Sequence, residues 1–497
     1  MKMIKSLLLG TAAGLVAVAG AQAADLPVKA KPVEYVKVCS LYGAGFWYVP
    51  GTDTCLKIGS YLRVQTSWDA EGGGIPIGMG DTSAAASGRF TRSDTSELAF
   101  RVRAAISVDL RTQTEYGTLR SYLEIGQQLT TVSNSGADAN AAAADTVFFD
   151  RGFIQFAGFT VGKIRSYFDI NSMAPYSYAN SRVSGDTGAA GIYALAYTAQ
   201  FGNGITASLS IEDTQAGAGA RGHVTWDNTS ASFLTYATTP ANDAKGWTMP
   251  DVVGALRVDQ AWGYAQVAAA LHDASGAYYG TADNVNNGHP ADKFGFAATA
   301  GFTLNNVLGN KGDAFGMQAC YSEGAAGYCT RAQGPWQRYD ASNNAGFGWL
   351  ADSVFGTATG IELTKVWGIN GAFQHFWNPK WRTSLYGGYV SVDYNGTATN
   401  LINPVACGGT GAAGSITVAA ATNSCNPDFS WWQVGTRTQW NPHPDLDIGL
   451  DVLWTHLNTA YKGPGVYAAN PARPAVGALD DQDVLSVLFR VQRNFLP

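Results

Sequence analysis

The side chains best placed to do chemistry in this chain are charges that recur at every second position. Arg63, Arg101, Arg103, Arg111 and Arg120 lie on the polar faces of the first three strongly alternating stretches. Asp109 and Glu124 share those faces, while Lys163 and Arg165 stand just before a long segment that carries Asp169 and Asp186. Basic groups on one wall of a wet passage and acidic groups opposite would set up a transverse field. Such a field orients dipolar water, so apolar solutes that must displace it are disfavoured and small polar ones are not. The plainer chemistry for each charge is solvation of a wet face and ion pairing that knits neighbouring strands. Neither reading is catalytic. No His lies beside a convincing Ser partner, and the six His are scattered.

Six cysteines, Cys39, Cys55, Cys320, Cys329, Cys407 and Cys425, fall as three sequence-local couples. An even number behind an export signal reads as disulfides in an oxidising compartment. Pairing of neighbours is the expectation, although the sequence alone permits about fifteen connectivities. No C-x-x-C pair is present, so neither a metal nor any other cofactor is expected.

The elements that must position these groups are strands. In 56–68, Leu56, Ile58, Leu62, Val64 and Trp68 share one face, and Lys57, Tyr61, Arg63, Gln65 and Ser67 share the other. The same period of two runs through 98–111 and 446–455. These runs exceed the ~5–6 residues of an ordinary strand and match the ~9–11 needed to cross hydrocarbon at a tilt. Sixteen such strands can be placed between Cys55 and Phe495. Tight links, such as Tyr116-Gly117, Ala157-Gly158 and Asn203-Gly204, alternate with long ones at 69–96, 131–145, 166–190, 214–250, 274–291, 325–362, 395–428 and 459–481. Strict short–long alternation is how a transmembrane barrel sorts periplasmic turns from external loops. The fold class expected is therefore all-β: a 16-stranded antiparallel transmembrane barrel. Trp262, Trp377, Trp381 and Trp440 all sit beside short links, as an interfacial girdle requires. Lys163 and Arg165 share the parity of Phe159 and Val161 and so break the alternation. A cation facing lipid at mid-membrane costs roughly 2–4 kcal/mol, which favours the lumen for both.

Composition agrees. Charged residues make up 14% of the chain and aromatics 12%, against about a quarter charged in a soluble domain. Lys2 and Lys5, the apolar run 7–19 and Ala21-Gln22-Ala23 form a signal peptide over 1–23. Its removal would take the net charge from −6 to −8, which argues against a nucleic-acid partner. Beyond it no apolar run is long enough for a membrane helix. The organisation expected is a signal peptide (1–23), a periplasmic N-terminal tail and disulfide segment (24–54), and a barrel (55–497).

Several segments resemble alphaproteobacterial porins of the rhizobial and brucella type. They are Pro50-Gly51-Thr52-Asp53-Thr54-Cys55 leading into Leu56 to Arg63, Phe153 to Thr160, Gln260-Ala261-Trp262-Gly263, and the ending Phe489 to Phe495. The resemblance spans essentially the whole chain. It implies a homotrimer in the Gram-negative outer membrane, in contact with its lipid and lipopolysaccharide. It also implies a third long loop folded into the barrel, and passive, weakly selective diffusion of small hydrophilic solutes and ions. In such relatives an exposed Ala followed by Asp can accept peptidoglycan, and Ala24-Asp25 fits that pattern. The other readings weighed were a sugar-selective channel, which would need an aromatic ladder beyond Tyr122 and Tyr386, and a lipid-side hydrolase.

Overall fold

The computed structural model describes residues 37–68, 98–130, 144–170, 175–179, 183, 185–188, 191–213, 221–228, 242–280, 284–330, 334–339, 344–357, 359–407, 417–418, 425–467 and 476–496. The signal-peptide reading over 1–23 and Ala24 lies outside them.

Sixteen strands form the wall: β1 (Cys55–Trp68), β2 (Leu98–Thr114), β3 (Gly117–Thr130), β4 (Ala144–Phe156), β5 (Phe159–Ile164), β6 (Ile192–Gly202), β7 (Ile205–Asp213), β8 (Asp251–Gln260), β9 (Gly263–Asp273), β10 (Phe294–Asn305), β11 (Ala314–Glu323), β12 (Lys365–Asn378), β13 (Trp381–Asp393), β14 (Phe429–His443), β15 (Leu446–Asn458) and β16 (Gln482–Leu496). Each pairs antiparallel with its sequence neighbour, and β16 pairs back onto β1, with Val491 opposite Val64. Closure leaves the wall without an edge, so every ladder group can be satisfied inside lipid.

Polarity is inside out. The outward set Leu62, Val64, Phe100, Val102, Leu209, Leu256, Val267, Leu385 and Phe489 is exposed, whereas the inward set Gln65, Ser67, Ser210, Gln266, Thr299, Gln433, Thr455 and Ser486 is buried. A water-soluble protein sorts these residue types the other way. The exposed apolar belt is what a hydrocarbon environment stabilises. At the short-turn end, Trp262, Trp377, Trp381 and Trp440 are outward and exposed, and Trp381 stacks on Trp440 at 5.8 Å. A second aromatic set closes the belt at the other end: Trp432 packs edge-on against Trp454 at 4.5 Å, and Trp454 Nε1 donates to Asp483 at 2.8 Å. Indoles so placed keep the ring in the apolar edge and the N–H in polar surroundings.

The tight turns follow from their residues. Ala157-Gly158 and Asn203-Gly204 both take positive φ at both positions, the mirror-image turn that matches strand twist. At Gly204 a Cβ would lie 1.9 Å from the Asp259 carbonyl, so only glycine fits there.

Long connections pack on themselves at the opposite end. Thr225–Asp227, Ser353–Phe355 and Glu362–Leu363 make a small sheet, joined in packing by helix α1 (Gly396–Ala406). Asn395 caps that helix by accepting from Ala398 N at 2.8 Å. Trp226, Trp349, Leu350, Tyr394, Trp431 and Leu457 bury one another there. The cysteines are joined as neighbours: Cys39–Cys55, Cys320–Cys329 and Cys407–Cys425. The first closes an N-terminal hairpin in which Trp47 and Tyr48 pair with Leu56 and Cys55. The second ties Tyr328 to β11. Replacing both Cys320 and Cys329 by Ser is expected to lower stability by about 2–3 kcal/mol on loop entropy. Limited proteolysis of the 325–362 connection should then speed up; an unchanged cleavage rate would show that the packing of Tyr328 suffices.

Candidate functional site: the constriction

The site is built by the third long connection, 165–191, which leaves β5, crosses the lumen and returns to β6. Its base is fixed by a fully buried charge cluster. Glu212, inward on β7, accepts from Ser166 Oγ at 2.7 Å and from Tyr167 N at 3.1 Å. Asp169 accepts from Thr187 N at 2.8 Å and Thr187 Oγ1 at 2.6 Å, which staples the outgoing limb to the returning one. Arg221, from the connection after β7, donates to Asp169 at 2.5 Å, to Ser166 Oγ at 2.5 Å and to the Gly185 carbonyl at 2.9 Å. Its guanidinium also lies over the Tyr328 ring at 4.3 Å. Burial pushes the Asp169 carboxyl up, but Arg221, Arg165 and the Thr187 donors outweigh it and hold it below the usual aspartate range.

From this base the loop runs across β9, where Gln266 donates to the Tyr167 carbonyl at 2.8 Å and Tyr264 to that of Ile170 at 3.2 Å. Its tip docks on β14–β16. Asp451 accepts from Ser177 Oγ at 3.0 Å, from Ala179 N at 3.2 Å and from Tyr178 N, and its other oxygen takes the Tyr386 hydroxyl at 2.5 Å. Arg437 donates to the Pro175 carbonyl at 2.7 Å and Arg490 to that of Tyr178 at 3.2 Å. In a ring of sixteen strands β6 faces β14, so a loop fixed at β7 and at β15 spans the barrel from one wall to the opposite one. It narrows the passage without closing off the wall behind it.

The charges singled out in the sequence are distributed unevenly around this bar. Arg63 and Arg103 face the lumen beside its tip. Arg63 donates to Gln492 at 2.8 Å; Arg103 pairs with Asp150, donates to Tyr61 at 3.0 Å and stacks on Phe148 at 3.7 Å. Arg101 donates to Thr130 at 3.0 Å. Arg111 and Arg120 share one carboxylate, Asp109, at 2.8 and 2.9 Å, and Arg111 reaches over Phe46 of the N-terminal hairpin at 4.9 Å. Arg111, Arg120 and Asp109 therefore stand toward the periplasmic mouth, below the bar, and Arg101 stands at the opposite end of β2. Glu124 accepts from Tyr122 at 3.2 Å and lies opposite Arg151 in register. Arg165 reaches Asp169 at 3.3 Å. Asp186 is buried and accepts from Gly188 N at 2.7 Å, closing a local turn, so it does not face the passage.

Lys163 differs from the lumenal expectation. It stays on the outward face with Phe159 and Val161 and donates to the Phe149 carbonyl at 2.6 Å on β4. The parity of β5 holds because Thr160 and Ile164 fill the inward positions. A bulge at this place in β4 has the complementary effect. Its register against β3 slips by one residue between Arg151 and Phe149, so Asp150 and Arg151 both turn inward. Strict alternation hides Asp150. Asp451, Arg437 and Arg490, by contrast, sit on inward parities that the period of two already marks. Arg221 lies in a connection whose sequence gives no such signal.

The residues 25–487 match the family model described as Porin subfamily. The chain belongs to that family. Among curated relatives, it is 36% identical over 268 residues to Porin Omp2b of Brucella canis and 35% identical to that of Brucella abortus. Each alignment covers 52% of this chain and 63% of the relative, so the chain spans less than two thirds of their length. Among solved structures, the outer membrane channel DcaP of Acinetobacter baumannii superposes with a TM-score of 0.56 at 14% identity, covering 90% of this chain and 99% of that one. That likeness concerns the barrel architecture alone. The family assignment and the barrel agree with a channel rather than an enzyme.

Proposed function

We propose that this porin-family barrel is a passive diffusion channel of the Gram-negative outer membrane, passing small hydrophilic solutes and ions across the bar formed by 165–191. The observation that carries the reading is the bar itself. A lumen lined by polar side chains is crossed by one loop, pinned at both walls by hydrogen bonds to Glu212 and Asp451. Nothing in this arrangement binds a reacting group; it sets a neck and a field. Arg437, Arg490 and Asp451 are the wall charges that touch that neck, and Arg63, Arg103 and the acid Asp150 stand on the neighbouring wall.

The working unit in this reading is a homotrimer. Lys163 supports it. The residue lies about 17 Å of strand from the Ala157-Gly158 turn, inside the apolar band, on an outward face. Facing lipid there would cost roughly 2–4 kcal/mol. A second copy covering β4–β6 removes that cost. Outer-membrane lipid and lipopolysaccharide are the remaining surroundings, and the mature Ala24 is a candidate acceptor for peptidoglycan, to be sought as a muropeptide on digested sacculi.

The test is reconstitution of the purified chain in a planar bilayer. Ohmic conductance appearing in steps of three establishes the trimeric channel. Absence of any conductance from correctly folded protein would overturn the channel reading, and steps of one would overturn the trimer alone. A further expected result concerns Asp150. Asp150→Asn removes a lumenal negative charge beside Arg103, so the channel should favour anions more strongly, by on the order of twofold in permeability ratio. An unchanged reversal potential would place that pair outside the permeation path.

A further inference from the structure

The bar faces a set of arginines that no carboxylate neutralises across the passage. Only two acids occur between 165 and 191, Asp169 and Asp186. Asp169 is consumed at the base by Arg221, Arg165 and Thr187, and Asp186 by Gly188 N. The part that reaches the far wall is Pro175-Tyr176-Ser177-Tyr178-Ala179, which carries no charge. On that wall stand Arg382 (β13), Arg437 (β14), Arg490 (β16) and Arg63 (β1), with β15 between β14 and β16. Among the described residues none of the four makes an ion pair. Arg63 and Arg490 donate to the glutamines Gln492 and Gln65, Arg437 donates to a carbonyl, to Gln374 and to Ser384, and Arg382 lies over the Phe376 ring at 5.5 Å. The acids of this wall are engaged elsewhere: Asp451 holds the loop tip, Asp447 accepts from Gln439 at 2.7 Å, and Asp150 pairs with Arg103.

Tyr178 sits at the centre. Its ring lies 4.1 Å from the Arg490 guanidinium and 5.1 Å from that of Arg437. Three buried polar atoms of this group have no hydrogen-bond partner among the described residues: the Tyr178 hydroxyl, Arg437 Nε and Arg382 Nε. Tyr178 and Arg437 are both more than nine-tenths buried. Buried nitrogen donors without a partner, beside uncompensated positive charge, fit one kind of guest, an oxyanion.

We infer that the arginines Arg63, Arg382, Arg437 and Arg490, with Tyr178 of the bar, form a binding site for small oxyanions, carboxylates or phosphates, and make the channel prefer anions. The inference rests on the channel reading above and deepens it by naming the solute class. A passing carboxylate or phosphate meets guanidinium forks that can chelate two oxygens at once, and it meets no acid on the bar to repel it. A cation meets the same groups as a barrier.

Two recordings test this. In a tenfold potassium chloride gradient, the reversal potential should have the sign of chloride preference. The double variant Arg63→Gln/Arg382→Gln should lower the chloride-to-potassium permeability ratio by on the order of threefold. Neither residue holds a loop carbonyl, so the bar keeps its place. Lys163→Met, whose charge is outside the lumen, should leave the ratio unchanged. In symmetric salt, sodium malonate or inorganic phosphate at millimolar concentration should reduce the chloride current saturably, and glucose should not. Block by either anion supports the site, and the pair separates a carboxylate guest from a phosphate guest. Open channels with cation preference, or with no block by either anion, overturn the inference while leaving the porin reading intact. Silent membranes overturn the porin reading instead.

Discussion

Replacing Asp451 by Ala is expected to release the constriction and raise single-channel conductance, on the order of twofold. The argument is local. One carboxylate receives three donors from the loop tip, Ser177 Oγ, Tyr178 N and Ala179 N, and a fourth from Tyr386. All of these groups are buried, and each donor left without a partner costs about 1–3 kcal/mol. The remaining tip contacts, from Arg437 and Arg490 to two carbonyls, cannot replace them, because they orient the chain but do not close its turn. The wall loses little, since β15 keeps its ladders to β14 and β16. The measurement is paired: conductance in the bilayer, and the heat-modifiable migration that reports a closed barrel. Raised conductance from a closed barrel is the expected pattern. Unchanged conductance from a closed barrel would mean that the tip does not limit the passage. Asp451→Asn, which keeps an acceptor, should fall between.

How far could these elements be read from sequence? The wall was almost fully legible, because a barrel strand must present lipid and water to alternate residues and must be long enough to cross. Both demands are written in period and length. All sixteen strands fall within a few residues of the alternating stretches, and the short turns at Gly117, Gly158 and Gly204 are where the glycines place them. The site was less legible, for three separate reasons. A single bulge in β4 reverses parity, so Asp150 and Arg151 appear to belong to different faces although both point inward. Long-range partners have no sequence spacing: Ser177 and Asp451 are 274 residues apart. And an irregular loop carries no period, so Arg221 could not be distinguished from any solvated arginine. The acids gave the converse lesson. Asp169 and Asp186 lie in the right loop, but their short distance from Thr187 and Gly188 commits them to shaping it.

The second large effect is expected at Arg221. Its replacement by Ala removes the only cation buried between Asp169 and Glu212 among the described residues; both carboxylates have no exposed side-chain surface. Breaking such a group by taking one member away costs about 3–5 kcal/mol, because the partners' charges stay buried without compensation. The damage should be confined to the loop base and to the connection carrying Arg221, since the wall strands contribute only Glu212. We therefore expect faster hydrogen exchange over 165–188 with little change in β14–β16. Removing the charges together should recover most of the loss: Arg221→Met with Asp169→Asn leaves Glu212 held by Ser166, Ser210 and the Tyr167 amide. The pH dependence has a definite sign. Asp169 titrates below the ordinary aspartate value of about 3.9, so its contribution is complete above that value and disappears only as pH falls through the lower folded one. Exchange over 165–188 should thus be unaffected between pH 7 and 5 and rise well below pH 4. A rise already near pH 5 would place the controlling proton on another group and would remove Asp169 as the clasp of the bar.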